Sequence, residues 1–175
     1  MKKYNIQWMF FVWLISCLGG LLWFSTNKLV EFDPKLKLSM ALSDLKYEEA
    51  FINVLKDNNY DVRSSVIHFS ATDCWCQTLA QKHVSKLSNE MQTLGFHNIY
   101  VNLTDLLAIG NYIPSTPALA VIDQHEKVLF LGPYSTGYGC VTASNVTEII
   151  INKLSNPKHQ NSSIITEAEG CYCGV

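Results

Sequence analysis

The longest apolar stretch of the chain lies near its N-terminus, from Trp8 to Phe24, and contains no charged residue. As a helix this stretch would be roughly 26 Å long, which is just enough to cross the hydrocarbon layer of a membrane. Trp8 and Trp23 stand near its two ends, where indole rings favour the lipid headgroups. The pattern predicts one membrane-spanning helix at residues 8–24.

Lys2 and Lys3 precede this stretch and mixed charges follow it, so the positive-inside rule places the N-terminus in the cytoplasm. Two alternatives stay open. Residues 14–17 are similar to a lipobox whose last residue, Cys17, would be acylated, or the segment could be a cleaved signal peptide, although no small-x-small site follows it. All three put the rest of the chain on the same side. We therefore expect a single-pass protein of the bacterial inner membrane with a C-terminal domain in the periplasm, where disulfides form.

Beyond the membrane segment, apolar residues recur with helical and strand spacing. Helical spacing predicts one helix from Ser43 to Asn58, one that follows residues 74–76 and is closed by Gly95, and one that opens at Asn145. A short helical turn is predicted between the second and the third. Four short runs, bounded by polar or turn residues, predict strands at residues 65–69, 99–103, 118–122 and 127–131.

The order of these elements predicts the fold class. A strand, a helix and a returning strand imply a right-handed crossover and a parallel pair, while the tight turn near His125 implies an antiparallel pair. We predict an α/β domain with a mixed four-stranded sheet flanked by helices. The predicted divisions are a membrane anchor at residues 1–25, a tether at 26–42, the domain at 43–157 and a cysteine-containing C-terminal tail at 158–175.

Composition and charge narrow the function. The 175 residues are 48% apolar and 11% aromatic with a net charge of −2, which excludes disorder as the dominant state. All 15 acidic residues follow residue 30, and without Lys2 and Lys3 only 11 basic residues oppose them. The exported part therefore has no basic patch for phosphates, and we expect no nucleic acid partner.

The cysteines carry the candidate chemistry. One of the six lies in the membrane segment, and five are exported: Cys74, Cys76, Cys140, Cys171 and Cys173. Five is odd, so one thiol is left over unless it bonds another molecule or a metal. Cys74 and Cys76 lie between a strand end and a helix start, where free N–H groups and the helix dipole stabilise a thiolate. This position favours a reactive pair.

The short spacing of that pair also bears on its chemistry. A disulfide between Cys74 and Cys76 would need a tight bend to bring the two Cα atoms within about 4.4–6.8 Å. Strained disulfides are reduced readily and are therefore oxidising. The spacing favours oxidant or isomerase chemistry over strong reduction.

Three stretches carry a resemblance to a known family. Residues 66–74, Val-Ile-His-Phe-Ser-Ala-Thr-Asp-Cys, resemble the strand and loop that enter the active site of thioredoxin-like proteins. Residues 113–119 resemble the segment around the cis-proline of that family, and residues 127–132 the strand that follows it. With its membrane anchor and the Gly-Cys-x-Cys at residues 170–173, the whole chain is similar to a bacterial membrane-anchored thioredoxin-like family of uncharacterised function.

The resemblance implies a thioredoxin-like fold and roles for the matching residues. Cys74 takes the position of the attacking cysteine, and His68 that of a buried proton acceptor. Thr116 and Pro117 take the position of the cis peptide, whose backbone would pair with an extended substrate. The family pattern is Cys-x-x-Cys, so Cys76 departs from the usual position of the resolving cysteine.

Each of these residues also has a structural interpretation. Cys74 and Cys76 could form purely structural bonds, and His68 could be a hydrogen-bonded core residue. Trp75 either contacts substrate or packs over the thiols.

The three remaining exported cysteines are candidates for resolving or structural bonds. Cys171 and Cys173 lie in a glycine-flanked end that could reach the first pair and pass on a disulfide. They could equally be locked in bonds to Cys140 or to each other.

We therefore predict a membrane-tethered thiol–disulfide oxidoreductase or isomerase that acts on the thiols and disulfides of exported proteins and contacts the membrane through residues 8–24. One alternative is a metal-handling module, since two Cys-x-Cys pairs supply soft sulfur ligands for Cu(I) or Zn(II). Another is a non-catalytic binding domain stapled by disulfides. The leading hypothesis assigns no cofactor and no metal ligand, and leaves the upstream redox partner unidentified.

Overall fold

The structure, a computed structural model, describes residues 3–26, 29–137, 146–155 and 162–175. Helix α1 (Lys3–Thr26) contains the window Ile6–Trp23, which has a mean hydropathy of 1.7 and no buried residue. By length and composition it is the one helix in the described ranges that could cross a membrane. The predicted apolar helix is confirmed to that extent.

The other elements follow in two sets. The remaining helices are α2 (Lys37–Ala41), α3 (Tyr47–Asp57), α4 (Trp75–Thr93) and α5 (Val146–Ser155), with a 3-10 helix at Leu107–Asn111. The strands are β1 (Val30–Glu31), β2 (Ser65–Ser70), β3 (His97–Asn102), β4 (Ser115–Thr116), β5 (Ala118–Ile122), β6 (Val128–Pro133), β7 (Ser163–Ile164), β8 (Glu169–Gly170) and β9 (Cys173–Gly174).

Five strands form the central sheet, in the order β3-β2-β5-β6-β7. The four predicted strands are present, with β2 parallel to β3 and with β5 antiparallel to β6. The fifth strand comes from the tail, because β7 pairs in parallel with β6. The prediction of four strands is therefore wrong by one, since a two-residue strand is too short to show alternation in the sequence.

The sheet buries apolar side chains on both faces, so the chain forms a mixed α/β domain. Successive residues of β2 point to opposite faces. Val66 packs in one core cluster with Leu87 of α4, whereas Ile67 packs in the other with Phe51 of α3. Because helices cover both faces, β2 is a continuous buried run rather than an alternating one.

The segment predicted as a tether, residues 26–42, contains folded structure. Phe32 and Leu38 are fully buried in the larger core cluster, and β1 pairs with β8 of the tail. Asp33 accepts hydrogen bonds from the backbone N–H and the hydroxyl of Ser39. Isolated apolar residues among charged ones give no periodic signal, so the sequence did not predict this packing. The folded unit extends beyond the predicted limits of residues 43 and 157 at both ends.

Helix α4 links the sheet to the candidate site. The sequence predicts a helix that follows residues 74–76; the observed helix begins at Trp75, so Cys76 already lies in its first turn, and it ends at Thr93. Gly95 follows with φ of 88°, a left-handed conformation that glycine adopts without the Cβ clash of other residues. The cysteine pair therefore sits where a buried strand turns into a helix.

Candidate functional site

The helix pair, Cys74 and Cys76, lies at the N-terminus of α4. Cys74 is the N-cap residue, and Cys76 belongs to the first turn. Both side chains are buried, each with 7% of its surface exposed. The backbone N–H groups of the first helical turn lack intrahelical partners, and the helix dipole is positive at this end. The predicted environment for a stabilised thiolate is thus present once these sulfurs are reduced.

The tail pair, Cys171 and Cys173, is bonded to the helix pair in reverse order. Cys74 is joined to Cys173 with 5.9 Å between the Cα atoms, and Cys76 to Cys171 with 5.6 Å. The bond considered between Cys74 and Cys76 is therefore not formed, and the tail cysteines are bonded neither to each other nor to Cys140. Cys140 itself lies outside the described residues. The prediction of a strained disulfide between Cys74 and Cys76 is wrong, because each of these cysteines is bonded to a cysteine of the tail.

The tail also pairs with the backbone beside Cys74. Strand β9 runs antiparallel to β4, with Cys173 opposite Thr116. The peptide bond between Thr116 and Pro117 is cis, as predicted. The Sγ atom of Cys74 lies 3.8 Å from the carbonyl oxygen of Thr116. A disulfide sulfur carries no proton, so this is a packing contact that brings the disulfide against β4.

Tyr172, between the two tail cysteines, anchors the tail in the core. Its side chain is 7% exposed, and its ring meets Phe32 edge to face with centroids 5.3 Å apart. Its hydroxyl donates a hydrogen bond to the carbonyl of Ser135 at 2.6 Å. A Cβ added to Gly170 would lie 2.6 Å from the tyrosine ring, so only glycine fits this approach. Sequence reasoning missed Tyr172, and its one available signal was an aromatic residue flanked by the two tail cysteines.

Trp75, between the two helix cysteines, lies in the opposite environment. Its side chain is 69% exposed at the first position of α4. An exposed indole beside the disulfides can contact a bound polypeptide, whereas the alternative of packing over the thiols does not fit this exposure. A role in substrate binding stays a prediction.

His68 lies on β2 within a polar network. Its Nδ1 atom is hydrogen-bonded to the hydroxyl of Tyr134, and its Nε2 atom lies 2.9 Å from Oδ1 of Asn98. Because Asn98 donates through its amide nitrogen to the carbonyl of Ser88, its oxygen is the acceptor for His68. The arrangement favours neutral His68 with its proton on Nε2 and with Nδ1 accepting from tyrosine.

Burial governs the ionisation of this network. Burial lowers the pKa of His68, and the hydrogen bond with Asn98 opposes this in part. Burial also raises the pKa of Tyr134, with a smaller contribution from Tyr100. The hydrogen-bond partners described for His68 are polar side chains of the core rather than cysteines. Proton transfer between His68 and Cys74 stays a prediction.

The cysteines also form the candidate metal cluster. The Sγ atoms of Cys74, Cys76 and Cys173 all lie within 4.8 Å of one another. In the disulfide form these sulfurs are not thiolates, and a metal needs thiolate ligands. After reduction, the same atoms would provide three soft ligands for Cu(I) or Zn(II).

Residues 45–175 match the sequence model of a family described as a domain of unknown function, DUF6436. No curated protein and no solved structure gives a significant match. The matched range includes both cysteine pairs, so the site belongs to the family domain.

Proposed function

The chain belongs to the DUF6436 family, and for this member we propose a membrane-tethered thiol–disulfide oxidoreductase or isomerase that acts on the thiols of exported proteins. We further propose that its domain has a thioredoxin-like fold. Support for that fold comes from the strand order β3-β2-β5-β6, with one parallel and two antiparallel pairs, and from a helix that starts at the cysteine pair.

One observation carries the proposed activity. The disulfide of Cys74 lies at a helix N-terminus, and its partner Cys173 lies on a strand that pairs with Thr116. An extended peptide is thus held along a strand edge while its sulfur is bonded to the helix cysteine. This is the geometry that a mixed disulfide with a protein substrate requires, because strand addition holds a peptide without regard to most of its sequence.

The chemistry balances without a cofactor. A substrate thiolate attacks Sγ of Cys74, and Cys173 leaves as a thiolate. A second substrate thiolate then attacks the substrate sulfur of this mixed disulfide, which forms the substrate disulfide and releases Cys74 as a thiolate. Two electrons pass from the substrate to the protein, and the helix dipole stabilises the thiolate that is released. The disulfide between Cys76 and Cys171 can accept two more electrons from substrate thiolates in the same way.

The proposed location is the outer side of the bacterial inner membrane. Helix α1 is long and apolar enough to cross the bilayer, and Lys2 and Lys3 favour a cytoplasmic N-terminus. A domain delivered to the periplasm would meet exported proteins while their disulfides form.

The activity can be tested with the full chain in detergent. Reduced protein should accelerate the reduction of insulin by dithiothreitol, and Cys74→Ser should lower the rate to that of the buffer. Cys17→Ser is the matched control, because Cys17 is a free cysteine in the membrane helix, and it should keep the wild-type rate. Undiminished activity of Cys74→Ser would refute the proposal.

A thiol-trapping experiment separates this function from that of a stapled scaffold. The protein is equilibrated in glutathione buffers of graded potential, and free thiols are alkylated and counted by mass spectrometry. In an oxidoreductase, at least one disulfide should be reduced when the potential of the buffer is near that of an oxidising compartment, roughly −180 to −210 mV. Disulfides that stay closed below about −300 mV would instead favour the stapled binding domain.

Metal handling is the second candidate, and the clustering of three Sγ atoms within 4.8 Å favours it. The test is to titrate anaerobically reduced protein with Cu(I) or Zn(II) against a competing chelator. Binding that disappears in Cys76→Ser but persists in Cys17→Ser would support a metal site. Equal binding by the two variants would exclude it.

A further inference from the structure

Taking the proposed disulfide exchange as given, we propose that residues 170–174 occupy the site as an internal copy of its substrate. The external substrate is accordingly an extended peptide segment in which two cysteines flank one aromatic residue. Three independent contacts define this ligand: a backbone ladder, a pair of sulfur positions and a pocket for the middle side chain.

The backbone ladder fixes the direction of the ligand. Gly174 lies opposite Ser115 and Cys173 opposite Thr116, in antiparallel register. The N–H of Val175 donates to the carbonyl of Pro114 at 3.2 Å and extends the contact by one residue. These bonds use only main-chain groups, so any peptide of suitable shape can replace the tail along β4.

The sulfur positions fix the spacing of the ligand cysteines. In an extended chain, residues two apart point to the same side and the residue between them points to the other. The tail pair has the same alternation, although the chain bends at Cys171 and only Cys173 lies in a strand: both sulfurs reach the helix pair while Tyr172 enters the core. A ligand in the same antiparallel direction therefore places its second cysteine on Cys74 and its first on Cys76. A Cys-x-x-Cys segment would turn one sulfur away.

The pocket of the middle residue selects its side chain. Phe32 provides an apolar wall for a ring, and the carbonyl of Ser135 accepts a hydrogen bond from its hydroxyl. Tyrosine satisfies both contacts, phenylalanine satisfies one and alanine neither. The tail thus displays the preferred ligand sequence, Cys-Tyr-Cys.

The tail must be displaced before such a ligand can bind. A tethered segment competes at a high effective concentration, in the millimolar range for a short flexible connection. The test therefore uses the full chain in detergent with Cys171→Ser and Cys173→Ser, so that the tail forms no covalent bond. Cys17→Ser and Cys140→Ser are added, so that Cys74 and Cys76 are the two thiols that can react. Circular dichroism checks that this variant is folded.

The probe is the hexapeptide Gly-Cys-Tyr-Cys-Gly-Val with each cysteine in a mixed disulfide with thionitrobenzoate. Each thiolate of the reduced helix pair attacks one peptide sulfur and releases one coloured thionitrobenzoate ion. Complete capture therefore forms two disulfides and releases two ions, which absorbance counts. Peptide mapping should then find the second peptide cysteine on Cys74 and the first on Cys76.

Two altered peptides serve as matched controls. Inserting a glycine between the tyrosine and the second cysteine, or replacing the tyrosine by alanine, should slow the release of the second ion by about tenfold or more. Adding Tyr172→Ala to the protein variant should speed capture of the original peptide, because the tail then no longer fills the pocket. If the variants do not fold, oxidised wild-type protein, which keeps both disulfides until exchange, receives the same peptides as free dithiols. A peptide thiolate then attacks Cys74 or Cys76 and a tail cysteine leaves as a thiolate, and mapping of the mixed disulfides at Cys74 and Cys76 is the readout.

The outcomes separate this inference from the proposed function. Equal capture of all three peptides by a protein that reduces insulin would overturn the internal-copy proposal and leave the oxidoreductase intact. Failure both to capture peptide and to reduce insulin would overturn both. Capture that is fastest for Cys-Tyr-Cys, with crossed connectivity, would support the inference.

Discussion

The two Cys-x-Cys segments share a pattern but lie in opposite environments. In residues 74–76 the middle residue, Trp75, is 69% exposed, whereas in residues 171–173 the middle residue, Tyr172, is 7% exposed. The first segment is held by a strand and a helix whose backbone hydrogen bonds would persist without its cysteines. In the second, only Cys173 belongs to a strand, the two-residue β9, and the segment is held by the disulfides, the β4–β9 pairing and one buried ring.

This difference shows how a short sequence pattern can serve two purposes. Regular secondary structure presents the helix pair and leaves its aromatic residue free for a partner. The tail pair has little secondary structure, so its aromatic residue must supply packing. Reduction alone should therefore loosen the tail without removing it from the core, because Tyr172 still lies against Phe32 and Ser135.

The largest expected effect comes from removing the disulfides. The bond between Cys74 and Cys173 closes a separation of 99 residues, a loop for which chain entropy predicts a stabilisation of about 5 kcal/mol. With that bond present, the second bond closes only a short ring and adds about 2 kcal/mol. Changing all four cysteines to alanine should cost about 7 kcal/mol, measured by urea unfolding in detergent.

Variants that lack only one bond are the control for this prediction. Cys76→Ala with Cys171→Ala, or Cys74→Ala with Cys173→Ala, should each cost only about 2 kcal/mol, because the remaining bond still closes the long loop. The losses should therefore be far from additive. If the two single-bond variants lost equal stability, and these losses summed to the loss of the variant with all four cysteines changed, the bonds would act independently. That result would contradict the shared loop.

The second effect compares the two aromatic residues directly. Tyr172→Ala should destabilise the protein by about 3 kcal/mol with the disulfides intact, because a buried ring and its cavity are lost. Trp75→Ala should change stability by less than about 0.5 kcal/mol, as expected for an exposed side chain. Tyr172→Phe should cost about 1 kcal/mol for the hydrogen bond alone. Similar losses for Trp75 and Tyr172 would remove the contrast.

The stability of the protein is expected to depend on pH through His68, which lies on β2, the strand that leads to the helix pair. Burial lowers the pKa of His68 in the folded state below its ordinary value of 6.5. As pH falls through that value, the unfolded chain takes up a proton before the folded chain does, so stability falls until His68 also protonates in the folded state. Above that window, His68 contributes no pH dependence.

The measurement is the urea midpoint between about pH 7.5 and about pH 5. His68→Gln should be less stable than wild type near neutral pH, because hydrogen bonds are lost, but it should lose less on acidification. His125→Gln, at an exposed turn, should keep the wild-type slope. An unchanged slope in His68→Gln would show that other groups cause the acid sensitivity.

The smallest effect concerns the strand that leads to the tail pair. Glu31 on β1 lies directly opposite Glu169 on β8, and like charges in this position are destabilising. Glu31→Lys should raise stability by about 0.5 kcal/mol, and Glu31→Gln by less. The gain should shrink in high salt, since both side chains are exposed. A gain that persists in about 1 M salt would point to packing rather than charge.

Much of the domain could be predicted from local patterns. The apolar run, the continuous β-rich stretch at residues 65–69 and the helix closed by Gly95 each correspond to an observed element. Such elements are predictable because their backbone bonds are formed within a few residues or their apolar period is long. The cis peptide before Pro117 was predicted from a resemblance rather than from a period.

The folded parts outside the predicted domain gave no such signal. Phe32 is one buried aromatic residue in a charged segment, and Ile164 belongs to a strand of two residues. Their burial depends on surfaces far away in the sequence. The reversed pairing of the cysteines is also of this kind, since spacing alone left several connectivities open.

By itself the sequence determined an apolar N-terminal helix, an α/β domain and a cysteine pair at a strand–helix junction. These depend on hydrophobic period, turn chemistry and the free N–H groups of a helix end, which are local properties of the chain. Only the tertiary structure decided that the tail pairs with β4, that Tyr172 fills the core and that each helix cysteine bonds a tail cysteine. The physical reason is that these contacts join groups far apart in the sequence, 99 residues for Cys74 and Cys173 and 140 residues for Phe32 and Tyr172, so no local pattern specifies them.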